Sequence, residues 1–186
     1  MAVSHIAIPY AKALFELAVE RNVLEETLKD IRVIAELCTD NRDFRLMLKS
    51  PLINTDKKKI IFTRIFGESI SKLTLTYLLI IIRKKRESII HDISLVFIEL
   101  YKDYHGILTT LLQTAVPVTD DIRKKVLAVM KEQTSSQIEL IEEVKEDLIG
   151  GFVLQWKDKM YDASIRHQIK KMHKGVARIN LYVKGI

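Results

Sequence analysis

Hydrophobic residues recur at helical spacing through the first hundred residues of the chain. In the first segment the apolar residues after Pro9 lie three and four positions apart, and a proline there suits the first turn of a helix. The same spacing continues to about residue 105. It predicts helices at about residues 8–19, 24–38, 44–48, 55–66, 71–84 and 89–105. The fifth has apolar residues nearly all round, so we expect it to lie centrally in a helical bundle.

The pattern changes after Gly106. From residue 107 to 118, leucines and threonines alternate with their neighbours, which predicts a strand. Thr119 and the two aspartates after it predict the start of a helix, because a hydroxyl caps free N–H groups and the helix dipole favours negative charge there. The remaining predicted elements are a strand at 138–144, a hairpin turn at Gly150-Gly151, a strand at 152–156 and a short helix from Ser164.

These patterns predict an α+β chain in two parts. We expect residues 1–105 to form an N-terminal six-helix bundle and residues 106–186 to form a small α/β unit. With 186 residues, of which 48% are hydrophobic, the chain is long enough and apolar enough to bury a core. Its longest apolar run, residues 73–82, is half of the roughly 20 residues that a membrane-spanning helix needs. The N-terminus also lacks the pattern of a secretory signal.

Charge and cysteine content narrow the possible functions. The net charge is +6, and acidic residues are interspersed with the basic ones along the whole chain. Neither part is therefore a polybasic module, and no nucleic-acid-reading motif is present. The single cysteine, Cys38, excludes an internal disulfide and a Cys-rich zinc site. It lies on the apolar stripe of the second predicted helix, so we expect it in the core.

The residues that catalysis would need are not arranged for it. No two histidines have the spacing of a His-Glu-x-x-His metal site. No glycine-rich phosphate loop and no Gly-x-Ser-x-Gly nucleophile turn occur. The sequence therefore predicts no catalytic, metal or cofactor site. The remaining interpretation is a protein that binds other proteins. An amphipathic helix of a partner is then expected to lie in a groove beside the apolar fifth helix. On the residues alone, a helical adaptor and a basic nucleic-acid-binding protein stay open.

Several motifs, in order, carry a resemblance to a known family. They are PYAKALF at residues 9–15, Ser50-Pro51 before a lysine-rich helix, LIGGFVLQ at 148–155 and DASIR at 162–166. The chain resembles the delta subunit of F-type ATP synthases, whose mitochondrial counterpart is the oligomycin-sensitivity-conferring protein. The likeness covers essentially the whole chain. It departs from the family at Lys85, Lys157 and Ala163, where the family often has glycine.

The resemblance implies a non-catalytic stator subunit that links the catalytic head to the peripheral stalk. The helical part is then expected to bind the N-terminal helix of an alpha subunit in a groove between its first and fifth helices. Carried over to this sequence, the groove is lined by Tyr10, Ala13, Leu14, Leu17, Thr76, Leu79 and Ile80. The C-terminal part is expected to bind the b-type stalk subunits. No cofactor is implied, and the location implied is the cytoplasmic side of a bacterial inner membrane, reached through partners.

Overall fold

A computed structural model of the chain describes residues 4–133, 136–157 and 159–171. The chain divides into two compact units, Met1–His105 and Gly106–Ile186. Within the described residues, no helix is both long and apolar enough to cross a membrane.

The first unit is built from α-helices, each close to the position that the hydrophobic spacing predicts. They are α1 (Ala7–Glu20), α2 (Leu24–Asp40), α3 (Arg42–Lys49), α4 (Thr55–Phe66), α5 (Lys72–Arg83) and α6 (Ile90–Tyr104), with a 3-10 turn at Glu87–Ile89 before α6. The helix that packs against both α1 and α2 is α6. Our expectation that α5 lies centrally is wrong, because one side of α5 faces solvent and Ile80 on that side is 46% exposed.

A buried lysine ties α4 to the segments on either side of it. Lys58 is 2% exposed, and its Nζ lies 2.6 Å from Oε1 of Glu87. The same ammonium group donates hydrogen bonds to the carbonyl oxygens of Leu48, at 3.0 Å, and Ser50, at 2.8 Å. All three donors of the ammonium group are therefore used, which compensates for burying its charge.

The start of α5 is fixed by a second buried charge. Asp30 of α2 accepts hydrogen bonds from the backbone N–H of Ser71, at 3.0 Å, and from its hydroxyl, at 2.6 Å. The Ser71 hydroxyl also accepts the N–H of Thr74, as an N-cap does. A carboxylate at this end of a helix is stabilised by the helix dipole.

The second unit combines a four-stranded sheet with helices. Its elements are β1 (Ile107–Thr114), α7 (Asp120–Gln133), β2 (Gln137–Val144), a 3-10 turn at Glu146–Leu148, β3 (Phe152–Trp156), β4 (Lys159–Asp162) and a helix at residues 165–171. The strand order is β2-β1-β3-β4. β1 and β2 are parallel and joined through α7, whereas the β1–β3 and β3–β4 pairs are antiparallel. The core lies between α7 and one face of the sheet, around Leu112, Met130 and Leu154.

The paired glycines do not form the hairpin turn that we predicted. β2 and β3 flank them, but both strands pair with β1 and not with each other. Gly151 has a φ of +79°, and a Cβ there would collide with the carbonyl oxygen of Ala163. A Cβ on Gly150 would lie 2.6 Å from Cδ1 of Ile165. The glycines are therefore needed for close packing against residues 163–165.

Candidate partner-binding surface

One flank of α1 is only partly covered by the rest of the first unit. The core side of this helix carries Ala7, Ala11, Leu14 and Ala18, each of which is fully buried. Next to them on the surface, Tyr10 and Leu17 are half-buried and Ala13 is exposed. Because Ala13 ends at Cβ, another helix can approach the backbone of α1 closely at this point.

α1 and α5 are joined by a hydrogen bond that the sequence analysis did not anticipate. The hydroxyl of Tyr77 on α5 donates to the carbonyl oxygen of Tyr10 at 2.9 Å. Burial, with a smaller contribution from Tyr10, raises the pKa of the Tyr77 phenol well above its ordinary value, so the hydroxyl stays protonated and remains a donor. No pattern in the sequence distinguishes this tyrosine from the other apolar positions of α5.

On α5, the residues beside Tyr77 continue the partly uncovered surface. Ile80 lies one turn after Tyr77 and is 46% exposed, and Thr76 lies one turn before Ile80 and is also exposed. We call Tyr10, Ala13, Leu17, Thr76, Tyr77 and Ile80 the α1–α5 surface. It is apolar apart from three hydroxyl groups, and those of Thr76 and Tyr77 are already bonded within the unit, to the carbonyl oxygens of Lys72 and Tyr10.

Two residues that the resemblance assigned to the groove lie elsewhere. Leu14 is fully buried, so its side chain packs in the core and has no surface for a partner. Leu79 is two residues after Tyr77, which places it about 200° further round the helix. It lines a shallow depression with Ile60 and Thr63 of α4. Tyr10, Ala13 and Leu17 thus share one flank of α1, Thr76 and Ile80 share the exposed side of α5, and Leu14 and Leu79 lie elsewhere.

The family of the chain follows from comparison with known proteins. Residues 6–176 match the family model described as ATP synthase delta (OSCP) subunit. The chain belongs to this family. Its predicted character, a non-catalytic structural subunit of the ATP synthase stator, is thereby confirmed.

Relatives with substantial identity span nearly the whole of this delta-family chain. It is 32% identical to the ATP synthase subunit delta of Cytophaga hutchinsonii, over 92% of this chain and 94% of the relative. It is 34% identical to the chloroplastic ATP synthase subunit delta of Emiliania huxleyi, over 92% and 96%. It is also 34% identical to the ATP synthase subunit delta of Salinibacter ruber, over 88% and 86%.

A solved structure shares the fold. A chain in the cryo-EM structure of the Toxoplasma gondii mitochondrial ATP synthase hexamer superposes with a TM-score of 0.74. The alignment covers 94% of this delta-family chain and 98% of the other, at 20% identity. The mixed architecture of helices and a small sheet is therefore the fold of a chain in an assembled ATP synthase.

The second unit of this delta-family chain also exposes large apolar side chains. Among the described residues of this unit, the most exposed are Val116, Val144, Ile149, Met160 and Tyr161, each at least half accessible to solvent. Apolar side chains exposed together on a small unit are typical of surfaces that bind another protein. Each unit thus has a surface of its own on which a partner can be sought.

Proposed function

We propose that this chain performs its stator function by binding a different partner with each unit. The first unit binds the N-terminal helix of an ATP synthase alpha subunit on the α1–α5 surface, and the second binds the b-type subunits of the peripheral stalk. The chain then lies at the periphery of the complex, on the cytoplasmic side of a bacterial inner membrane. In this arrangement six helices act together as one bundle that caps the catalytic head.

One observation carries the first half of this proposal: the hydroxyl of Tyr77 on α5 donates to the carbonyl oxygen of Tyr10 on α1, which joins the two helices. Ala13 has the smallest side chain of the α1–α5 surface, so a partner helix can approach the backbone of α1 closely there. An amphipathic helix fits such a surface by placing apolar residues at positions i, i+3, i+4 and i+7 against it.

The mechanical task of a stator subunit favours contacts that bury apolar area. A stator subunit resists torque while the rotor turns, so its contacts must dissociate slowly. Burial of apolar area provides more lasting attachment than exposed ion pairs, whose net contribution is about 0–1 kcal/mol. The α1–α5 surface offers apolar area, and the hydroxyl groups of Thr76 and Tyr77 already donate to carbonyl oxygens within the unit. No step of this function needs a reacting group, a metal or a cofactor.

The test is a calorimetric titration of the full chain with a synthetic peptide that copies the N-terminal segment of the alpha subunit from the same organism. We expect micromolar or tighter binding, about −8 kcal/mol, and its loss in Ala13→Trp. Lys12→Trp is the matched control, because position 12 is exposed on the same helix but lies about 100° round from position 13. Binding that survives Ala13→Trp would place the alpha-subunit contact elsewhere. If the peptide does not bind the wild-type chain, the proposed contact is wrong.

A further inference from the structure

The net charge of the chain is concentrated in one segment of the first unit. Residues 55–87 contain nine lysines and arginines and three aspartates and glutamates, which gives this segment a net charge of +6. The other 153 residues contain 21 bases and 21 acids, so together they are neutral. Acidic residues are interspersed along the chain as a whole, but α4, α5 and the residues after them up to Glu87 are an exception.

On α4, two bases flank an exposed apolar residue. Ile60 is 54% exposed. Lys57 precedes it by three residues and Arg64 follows it by four, so the three side chains lie on one side of the helix. Both bases are exposed, and among the described residues neither has an acid as an ion-pair partner. Lys59 differs from them, because it pairs with Asp56 at 3.0 Å.

α5 repeats the arrangement around Leu79, which is partly buried against the core. Lys72 lies seven residues before Leu79 and Arg83 four residues after it, so these two bases share a side of α5 with it. Both are exposed, and neither has an ion-pair partner among the described acids. α4 packs against α5, and Ile60 and Leu79 line the same shallow depression, which Arg64 also lines. We call this the α4–α5 face; it comprises Lys57, Ile60, Arg64, Lys72, Leu79 and Arg83.

The two lysines of this face lie where helix stability disfavours them. Lys72 is the first residue of α5 and Lys57 the third of α4. The positive end of the helix dipole is at the N-terminus, so a base in the first turn is unfavourable. The buried Asp30 at the start of α5 accepts hydrogen bonds from Ser71 and forms no described ion pair with Lys72. A negatively charged partner would compensate for both lysines, whereas contacts within the unit do not.

We propose that the α4–α5 face binds an acidic amphipathic helix of another protein. A large apolar side chain of that helix lies in the depression lined by Ile60 and Leu79. Carboxylates about one turn before and after it meet the bases that flank these two residues. The apolar centre favours a protein over a nucleic acid, whose phosphates would be bound by the bases alone. This inference does not depend on the alpha-subunit or stalk contacts proposed above.

The experiment is a calorimetric titration of the full chain with two synthetic helical peptides. Both carry the same stripe of leucines, and they differ only in having glutamate or glutamine at the positions beside it. We expect the glutamate peptide to bind about tenfold more tightly or better, and this preference to shrink at high salt. Arg64→Gln combined with Arg83→Gln should weaken the glutamate peptide about tenfold and change the glutamine peptide less than twofold. Ile60→Gln should weaken both peptides.

Two control variants test the location of the site. Arg42→Gln removes an exposed base from α3 of the same unit, and it should change the affinity for the glutamate peptide less than twofold. Ala13→Trp blocks the α1–α5 surface and should have equally little effect. The urea midpoint followed by circular dichroism should be the same in each variant as in the wild-type chain, because the substituted residues are exposed.

Several outcomes would overturn the inference. The proposed site is wrong if both peptides bind equally well, or if the Arg64 and Arg83 variant binds the glutamate peptide as tightly as the wild-type chain. Loss of this binding in Ala13→Trp would move the acidic helix to the α1–α5 surface. Duplex DNA that binds more tightly than the glutamate peptide, or a dimer in sedimentation that Ile60→Gln dissolves, would assign the face to another occupant. Failure of the alpha-subunit peptide alone would contradict only the proposed function.

Discussion

The two units of this chain bury their apolar and charged side chains to different extents. Among the described residues, the first unit gathers eighteen buried hydrophobic residues into one cluster, whereas the second gathers five. The first also buries charges, at Lys58 and Asp30, and compensates them with hydrogen bonds and an ion pair. In the second, the ion pairs of Arg123 are exposed. Both units expose large apolar side chains, among them Leu52 in the first and Ile149 in the second. Within the described residues, the units therefore differ in the size of the buried core, which is larger in the first.

The largest effect should come from breaking the buried ion pair of the first unit. Lys58→Ala leaves the Glu87 carboxylate buried without its cation and two carbonyl groups without their donor. We expect a loss of about 3–5 kcal/mol in the free energy of unfolding. It should appear in the urea transition followed by circular dichroism at 222 nm, and the Trp156 fluorescence transition should not move. Lys59→Ala is the control, because that lysine pairs with Asp56 at the surface and should cost about 0.5 kcal/mol or less.

In the second unit, one buried polar residue lowers the free energy of unfolding, and a single substitution should raise it. Thr110 is fully buried on β1, and its hydroxyl has no hydrogen-bond partner. Thr110→Val keeps the shape and removes the unsatisfied group, so we expect a gain of about 1 kcal/mol in stability. Because Thr110 faces Trp156 across the β1–β3 pair, fluorescence reports the change directly. Thr114→Val should have the opposite sign, since that hydroxyl donates to Val116.

Smaller gains are expected at two lysines whose backbone has a positive φ. Lys85 has a φ of +55° and Lys157 a φ of +47°. At the end of α5, the N–H of Lys85 bonds to Ile82 and that of Arg86 to Ile81, a capping pattern that favours glycine at position 85. Lys85→Gly and Lys157→Gly should each stabilise by about 0.5–1 kcal/mol. The first should move only the circular dichroism transition and the second only the fluorescence transition. Lys84→Gly, at a φ of −79°, should destabilise instead.

The smallest effect is a loss of stability of the second unit in acid. Hydrogen bonds from the side chain and backbone of Ser164 lower the pKa of Asp162 below its ordinary value. A lowered pKa in the folded state means that the contribution is complete above the unfolded pKa of about 3.9 and is lost as the pH falls through the folded value. We expect a loss of less than about 1 kcal/mol below about pH 4, measured by Trp156 fluorescence. Asp162→Asn should remove this pH dependence, and an unchanged dependence would contradict the assignment.

Local patterns were sufficient to predict the helices and three of the four strands. Cys38 is fully buried on the apolar stripe of α2, as predicted. β4 was missed because its four residues, Lys159–Asp162, have no apolar alternation, and pairing with β3 defines the strand. The strand predicted to reach residue 118 ends at Thr114, where its pairing with β2 and β3 also stops. Pairing depends on tertiary partners, and these do not appear in a local pattern.

The candidate surface was predictable only in part, for a related reason. Spacing along α1 identified Tyr10, Ala13 and Leu17 as one side of a helix. It did not show that the neighbouring Leu14 is buried in the core and does not belong to the exposed flank. On α5, apolar residues occur on all sides, so the pattern does not show which side faces α1. The hydrogen bond from Tyr77 to α1 identifies that side, and it is a contact between residues 67 positions apart.

The comparison between the units is tested most directly by unfolding both in the same sample. The only tryptophan, Trp156, lies in the second unit, and the only cysteine, Cys38, lies in the core of the first. Burial raises the pKa of the Cys38 thiol to about 11, so at pH 8 it should react with an alkylating reagent only when the first unit opens. Across a urea series on the full chain, we predict that Trp156 fluorescence changes at a lower urea concentration than Cys38 alkylation. Coincident transitions, or Cys38 reacting first, would contradict the account.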